Sequence, residues 1–353
     1  MAAGDSQGPI FIVGSNGSGS TLLRLMLDSH ERIAIPEETG FLRLAAMHRW
    51  VPYWKLGGDW YGNLGLTEDQ IFGELAGFYG GLFTSYAASR GKQRWGDKTP
   101  LHVWHLELAS RMFPDALVVG IVRHPLGTAQ SLRRRFRRPI KAGVTHWLRA
   151  NRQLLHAGAQ LGDRFVLLRY EDLVTAPEPL MRALLDRLGE PWSDAVLSHH
   201  QVQPSAESTG FTRTDRAVDT ESLSDWEAHV TGTALKRAVA RTGALAEFLG
   251  YDPHRGRPAA PLGDPLLGGT QLAARQRELG AAIDWTPPRV RVEDRELRPP
   301  TPRKRRRKPD LSEVRLRDVL QQRLSARLSP DRRRKVHQAR RSRPLLDRLI
   351  GPR

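Results

Sequence analysis

Residues 10–27 read IFIVGSNGSGSTLLRLML, in which a short apolar run leads through a glycine- and serine-rich turn into leucines at helical spacing. The apolar run consists of Ile10 to Val13 and stops at Gly14, which is typical of a buried strand in a parallel sheet. The leucines after Thr21 recur at the spacing of one helix face. A strand, a glycine-rich loop and a helix in this order can aim backbone N–H groups and a helix N-terminus at a phosphate.

Two further apolar runs, residues 116–122 (ALVVGIV) and 165–170 (FVLLRY), each precede a helical pattern. Short apolar strands that alternate with helices predict an α/β fold, a parallel sheet flanked by helices of the P-loop nucleotide-binding type. In such a sheet the functional residues lie beyond the carboxyl ends of the strands. We therefore expect the loop after Gly14 and the residues after each of these runs to share one site.

The loop differs from the phosphate loop of ATPases at one informative position. Gly14 and Gly19 have the Walker A spacing, but Ser20 occupies the position of the lysine that reaches the β- and γ-phosphates. This pattern argues against an ATPase or a kinase. A tight turn that binds no ligand is the alternative interpretation.

The chain divides by composition into three segments. Residues 1–253 are expected to form the catalytic domain, with an aromatic-rich insertion at 41–95 whose side chains line an acceptor pocket or simply pack as core. Residues 254–285 are expected to be a linker and a short helix over 270–283. Residues 286–353 are a Pro- and Arg-rich tail, largely disordered, with leucines at helical spacing between Leu316 and Leu328.

Charge and composition limit the class of protein. Of the net charge of +17, residues 289–353 carry 23 basic and 8 acidic side chains, so the rest of the chain is nearly neutral. The absence of cysteine excludes disulfides and thiolate catalysis. The first residues lack the positive and apolar regions of a signal peptide, and no run approaches the roughly 20 apolar residues of a membrane helix. A cytoplasmic location is the expectation.

Five motifs in the expected order resemble those of the sulfotransferases that use 3′-phosphoadenosine 5′-phosphosulfate (PAPS). They are residues 11–23 (FIVGSNGSGSTLL), 122–132 (VRHPLGTAQSL), 169–173 (RYEDL), 188–192 (LGEPW) and 249–252 (LGYD). Within that family, residues 27–30 (LDSH) and 36–39 (PEET) are most similar to the tyrosylprotein sulfotransferases and their bacterial relatives. The resemblance covers about residues 9–253 and implies sulfuryl transfer from PAPS to a hydroxyl acceptor.

The resemblance also implies three catalytic residues. Glu38 matches the general base, which takes the proton of the attacking hydroxyl. Lys98, in residues 95–100 (WGDKTP), matches the lysine that meets the transferred group and its bridging oxygen. Ser224, in residues 221–226 (ESLSDW), is expected beside Lys98 as a second donor. The alternatives are a solvated loop carboxylate for Glu38 and a helix N-cap for Ser224.

The donor-binding residues follow from the same motifs. Arg123, Ser131 and Arg135 keep the family's spacing and are expected to hold the 3′-phosphate, and Tyr170 is expected near the adenosine or, alternatively, in the core. The backbone of the loop is expected to hold the 5′-phosphosulfate; its residues are Ser15, Asn16, Gly17, Ser18, Gly19, Ser20 and Thr21. No metal is predicted.

One departure from the family pattern leaves a second interpretation open. Gly17 stands where the family has Arg or Lys, so a charged contact to the donor is missing, and a catalytically weak protein of the same fold is the alternative.

The acceptor could be a small molecule, a sugar, a lipid or a tyrosine, and the sequence does not choose among them.

A third hypothesis assigns function to the basic tail. The runs Arg303–Lys308 and Arg332–Lys335 could contact nucleic acid or an anionic membrane surface, although such runs are commonly solvated.

Overall fold

The structure is a computed structural model that describes residues 7–48, 62, 64–202, 218–256, 258–263, 265–280 and 283–286. The chain divides into the units Met1–Leu297 and Arg298–Arg353, and every described residue lies in the first. The predicted tail helix, its arginine-rich runs and the aromatics between residues 49 and 61 lie outside the described residues. The three-segment division therefore stays a prediction.

Six strands form one mixed sheet in the described part of the chain. In chain order they are β1 (Ile10–Gly14), β2 (Ile33–Ala34), β3 (Arg94–Lys98), β4 (Leu117–Val122), β5 (Phe165–Arg169) and β6 (Leu267–Gly268). Their spatial order is β2-β3-β1-β4-β5-β6, and all neighbours are parallel except β6, which pairs antiparallel with β5. This confirms the predicted parallel α/β architecture.

Eleven α-helices connect and cover these strands among the described residues. In chain order they are α1 (Ser20–Asp28), α2 (Phe41–Met47), α3 (Glu68–Ser89), α4 (Leu106–Met112), α5 (Pro125–Phe136), α6 (Ile140–Leu161), α7 (Tyr170–Thr175), α8 (Pro177–Leu188), α9 (His199–Val202), α10 (Gly232–Phe248) and α11 (Gly269–Leu279). No helix within the described ranges combines the length and apolar character needed to cross a membrane.

The apolar runs form strands because both faces of the sheet are covered. Phe11 and Val13 of β1 pack in one buried cluster with helices α3 and α6, whereas Ile10 and Ile12 pack in another with α1 and α8. Side chains alternate between the faces of a strand, so a strand buried on both sides is apolar throughout. The same alternation explains residues 117–122.

Strand β3 was not predicted, because its sequence RWGDK is mostly polar. It forms beside the central strand, with Asp97 level with Phe11 and Lys98 level with Ile12, and all five of its residues are buried. These residues form a strand because they pair with β1 and β2, and not because of their own apolar content.

Residues 254–285 contain more structure than a linker and one helix. Leu267 pairs with Leu167 of β5, so a two-residue strand extends the sheet within the stretch that was expected to be a linker. The predicted helix is present as α11 but ends at Leu279 instead of residue 283, and Gly280 directly after it has a φ of 51°.

The described aromatics of the 41–95 insertion belong mainly to the core. Trp95 stacks on Phe83 with ring centroids 4.7 Å apart, and Phe41 packs on Tyr79 at 5.0 Å. Phe78 is exposed instead. Among the described residues of this segment, none of these rings lines the cleft beyond the strands, so the acceptor-pocket role predicted for them finds no support here.

Candidate active site

The loop between β1 and α1 bends through two glycines with a left-handed backbone. Gly17 has a φ of 87° and Gly19 a φ of 94°, a region that side chains other than glycine rarely adopt. A Cβ on Gly19 would lie 2.2 Å from the ring of Tyr170, and one on Gly17 would lie 3.2 Å from the hydroxyl of Ser131. The backbone therefore favours glycine at both positions, and the loop lies directly against two residues expected to hold the donor.

The loop presents one side to a cleft and buries the other. Five of its residues line the cleft: Asn16, Gly17, Gly19, Ser20 and Thr21. Ser15 and Ser18 are fully buried, and their hydroxyls have no hydrogen-bond partner within the described part of the chain. The Ser18 N–H donates to the Ser15 carbonyl at 3.1 Å, so these two residues stabilise the bend of the loop on its buried side.

Arg123, the first residue after β4, lies beside this loop. Its guanidinium stacks over the Tyr170 ring, with 4.4 Å from Cζ to the ring centroid. It donates to the carbonyl of Ser222 at 2.8 Å and, more weakly, to that of Gly17 at 3.4 Å. The structure therefore brings Arg123 together with Gly17, 106 residues before it, and with Tyr170, 47 residues after it.

Helix α5 contributes Ser131 and Arg135 to the same cleft. Residues four apart lie on one face of a helix, so both side chains can face the glycine loop. Partial desolvation lowers the pKa of the Arg135 guanidinium, an effect that the charge of Glu38 opposes. Glu38 and Arg135 thus lie near each other across the cleft.

Buried polar groups hold His124, the residue after Arg123. The Glu171 carboxylate accepts hydrogen bonds from the His124 backbone N–H at 2.9 Å and from the Tyr251 hydroxyl at 2.8 Å. Burial raises the pKa of Glu171 and lowers the pKa of His124 to about 4. The His124 ring is therefore neutral at pH 7 and stacks on Trp226, with centroids 4.8 Å apart.

Glu38, which lines the cleft, forms an ion pair with Lys98. Lys98 is the last residue of β3, Glu38 lies in the loop after β2, and Lys98 Nζ is 2.6 Å from Glu38 Oε1. The lysine side chain is only 4% exposed, whereas that of Glu38 is 49% exposed. Burial lowers the pKa of Lys98, and the carboxylate of Glu38 opposes this shift. Lys98 Nζ also lies 3.4 Å from the Thr21 hydroxyl, which links the pair to the loop.

Ser224 is not placed as the motif suggested. Its side chain is exposed, it does not line the cleft, and no hydrogen bond joins its hydroxyl to Lys98 among the described residues. Ser222 and Asp225, on either side of it, do line the cleft. The serine in contact with the predicted donor residues is Ser222, whose hydroxyl hydrogen-bonds the Tyr170 hydroxyl at 2.7 Å.

Sequence reasoning missed three further polar groups around the cleft. Gln130 and Trp226 line it, and Gln130 Oε1 and Trp226 Nε1 are buried atoms without a partner in the described part of the chain. His146 of α6 accepts a hydrogen bond from the Asn16 backbone N–H at 3.1 Å. Trp226 follows the serine of a quoted motif, but nothing in the sequence singled out Gln130 or His146.

The site contains cationic and carboxylate groups but no metal-binding cluster. In the ranges described above, no group of three or more His, Asp or Glu residues is placed to hold a metal ion. The arrangement can bind an anion between the loop and Arg123 and place a carboxylate and an ammonium beside it.

Comparison with known proteins agrees with this geometry. A profile of the sulfotransferase family matches residues 9–194. The chain is 28% identical over 278 residues to protein-tyrosine sulfotransferase 1 of Danio rerio, covering 73% of this chain and 76% of the relative. It is 27% identical over 279 residues to protein-tyrosine sulfotransferase 1 of Homo sapiens, covering 73% of each.

A solved structure shares the fold. The sulfotransferase domain from the Synechococcus PCC 7002 olefin synthase superposes with a TM-score of 0.50 at 22% identity, covering 69% of this chain and 98% of that one. The family profile spans more than half of the chain, and the expected resemblance is confirmed. The chain therefore belongs to the sulfotransferase family and is an enzyme of sulfuryl transfer.

Proposed function

We propose that this enzyme transfers the sulfuryl group of PAPS to a hydroxyl acceptor by in-line displacement. The observation that carries the proposal is the arrangement of one cleft. The glycine loop, Arg123, Tyr170 and Glu38 all line it, and Glu38 pairs with Lys98, whose Nζ lies 3.4 Å from the Thr21 hydroxyl of the loop.

The cleft residues suit an anionic nucleotide. Arg123, Ser131 and Arg135 line the cleft beside the glycine loop with a hydroxyl and two guanidinium groups. Gln130 Oε1 is an acceptor and Trp226 Nε1 a donor, and both are buried and unpartnered in the described part of the chain. Buried polar atoms normally have partners, so a bound molecule with polar edges accounts for them.

The chemistry belongs to Glu38 and Lys98. Bound PAPS supplies a sulfuryl group attached to the 5′-phosphate through an oxygen bridge. The Glu38 carboxylate takes the proton of the acceptor hydroxyl. At the same time the acceptor oxygen bonds to sulfur, and the bond between sulfur and the bridging oxygen breaks. The Lys98 ammonium stabilises the negative charge that develops on the leaving phosphate, which is released as adenosine 3′,5′-bisphosphate.

The acceptor is a hydroxyl, and a tyrosine in a peptide is the first candidate. This choice rests on the relatives named protein-tyrosine sulfotransferases. Small phenols, sugars and lipids are the alternatives that an acceptor screen with labelled PAPS separates.

Thermal unfolding with adenosine 3′,5′-bisphosphate, and separately with ATP, tests the donor site without knowledge of the acceptor. At one hundred times the dissociation constant, binding stabilises the folded state by about 2.7 kcal/mol. This corresponds to a rise in Tm of roughly 5–10 °C for a domain of this size. We expect that rise with the bisphosphate and a much smaller one with ATP.

A shift with neither nucleotide would contradict the proposed donor. Ser131→Ala serves as the matched variant, because it removes a hydroxyl facing the loop while keeping the helix. It should reduce the shift with the bisphosphate. Binding of the bisphosphate without any transfer from PAPS would support the alternative of a catalytically weak protein, for which Gly17 is the motivation.

A further inference from the structure

Thr39 follows the proposed base, Glu38, and is held on two sides by residues that flank Lys98. Its hydroxyl donates to Asp97 Oδ2 at 2.5 Å. Its backbone N–H donates to the Thr99 hydroxyl at 3.2 Å. Asp97 and Lys98 at the end of β3, and Thr99 directly after it, thus contact residues 38 and 39 at three successive positions.

The alternation of side chains along β3, continued by the extended backbone of Thr99 after it, explains this arrangement. Asp97 and Thr99 point to one side and contact Thr39, whereas Lys98 points to the other and contacts Glu38. The two segments therefore lie side by side at the carboxyl end of the strand. Their register determines whether the carboxylate of residue 38 reaches the ammonium of residue 98.

Asp97 is an anchor that the chemistry proposed above does not use. It is fully buried, and its second oxygen, Oδ1, lies 3.1 Å from Nε2 of the buried His102. Burying a carboxylate is costly unless polar partners surround it. The Thr39 hydroxyl supplies one such partner and also accepts the Phe41 backbone N–H at 3.3 Å, which ties it to the start of α2.

We propose that Thr39 is a positioning residue that holds Glu38 against Lys98 through its hydrogen bond to Asp97. This inference rests on the proposed function of Glu38 as the base. Glu38 is half exposed, so water competes with Lys98 for its carboxylate, and the ion pair alone fixes the carboxylate only weakly. Anchoring the next residue removes backbone freedom from the base, and small displacements of a catalytic group are costly in rate.

The test compares Thr39→Val with Thr39→Ser. Valine keeps the shape and the backbone N–H but loses the hydroxyl, whereas serine keeps the hydroxyl. We expect Thr39→Val to lower kcat roughly 10- to 100-fold. The affinity for adenosine 3′,5′-bisphosphate should stay within about twofold of that of the unchanged protein, because Thr39 does not line the cleft. Thr39→Ser should restore most of the lost turnover.

Thr242→Val is the matched control for loss of a buried hydroxyl. Thr242 is 1% exposed, and its hydroxyl donates to the Ala238 carbonyl at 2.9 Å within α10, away from the cleft residues. It should lower Tm without lowering kcat. The inference is overturned if Thr39→Val keeps full kcat, if serine fails to rescue it, or if Thr242→Val loses turnover equally.

A crystal structure of Thr39→Val supplies a readout that needs no turnover. We expect Glu38 Oε1 and Lys98 Nζ to separate from 2.6 Å to a distance at which they are no longer hydrogen-bonded. An unchanged pair would overturn the inference even if the enzyme transferred nothing. Absence of transfer by the unchanged protein would instead count against the proposed function. If Thr39→Val fails to fold, Thr39→Ala replaces it in both measurements.

Discussion

Replacing Gly17 by alanine tests whether the loop is shaped to hold the donor against Ser131. The φ of 87° at Gly17 is a left-handed conformation, which costs a residue with a Cβ about 1–2 kcal/mol. The new Cβ would also lie 3.2 Å from both Cβ and Oγ of Ser131 and 3.3 Å from the Thr128 carbonyl. Such contacts are tighter than is usual for a Cβ, so the loop and helix α5 must separate by a few tenths of an ångström to accept it.

Gly91→Ala separates the two effects. Gly91 follows helix α3 with a φ of 69°, and a Cβ there would meet nothing within 4 Å. This control variant bears the backbone cost alone. We expect it to lower Tm by roughly 2–4 °C for each kcal/mol lost and to leave donor binding unchanged.

Isothermal titration calorimetry with adenosine 3′,5′-bisphosphate measures the remaining effect at Gly17. Gly17→Ala should lower Tm by at least as much as Gly91→Ala and, in addition, weaken bisphosphate binding at least tenfold, about 1.4 kcal/mol. The reasoning is refuted if Gly17→Ala binds the bisphosphate as tightly as the unchanged protein. It is also refuted if Gly91→Ala weakens binding to the same extent.

Three other predictions address the chemistry and the pH dependence. Glu38→Gln should bind adenosine 3′,5′-bisphosphate normally and lower turnover roughly 100-fold or more, because the amide cannot take the acceptor proton; near-normal turnover from labelled PAPS would contradict its role. Lys98→Met should lower kcat by a similar factor, because it removes the charge beside the leaving phosphate, and a loss confined to acceptor KM would argue against this role. Burial lowers the pKa of His105, His124 and His146 to about 4, so they stay neutral in the folded state while the unfolded chain protonates them below about pH 6.5. The free energy of unfolding should therefore fall as the pH falls from 7.5 to 5, by about 2 kcal/mol per histidine, and urea titrations should show His146→Gln losing about a third of this dependence; a flat profile would contradict the prediction.

Local patterns were sufficient for the parts of the fold that are locally encoded. The strand at residues 10–14, the glycine loop and helix α1 were predicted because each has a local signal. These signals are a short apolar run, a glycine- and serine-rich turn, and leucines at helical spacing. Strands β4 and β5 followed from the same apolar signal. Strand β3 did not, because residues 94–98 carry three charged side chains, whose burial depends on partners elsewhere in the chain.

Most of the residues expected at the site line the cleft, but Ser224 does not, because its position depends on a contact between residues far apart in the chain. Motif spacing led to the glycine loop, Arg123, Ser131, Arg135 and Tyr170, and the structure brings these around one cleft. The expectation for Ser224 depended on how a loop about 120 residues after Lys98 folds back, which no local pattern encodes.

By itself, the sequence determined the order of strand, phosphate loop and helix, and the family to which the motifs belong. Each of these motifs is a pattern of adjacent residues, so it can be recognised without the fold. Only the tertiary structure decided that Lys98 is buried against Glu38, that Thr39 is held between Asp97 and Thr99, and that Ser222 contacts Tyr170. These contacts join residues 52 to 60 positions apart. They form because parallel strands distant in sequence end at the same edge of the sheet.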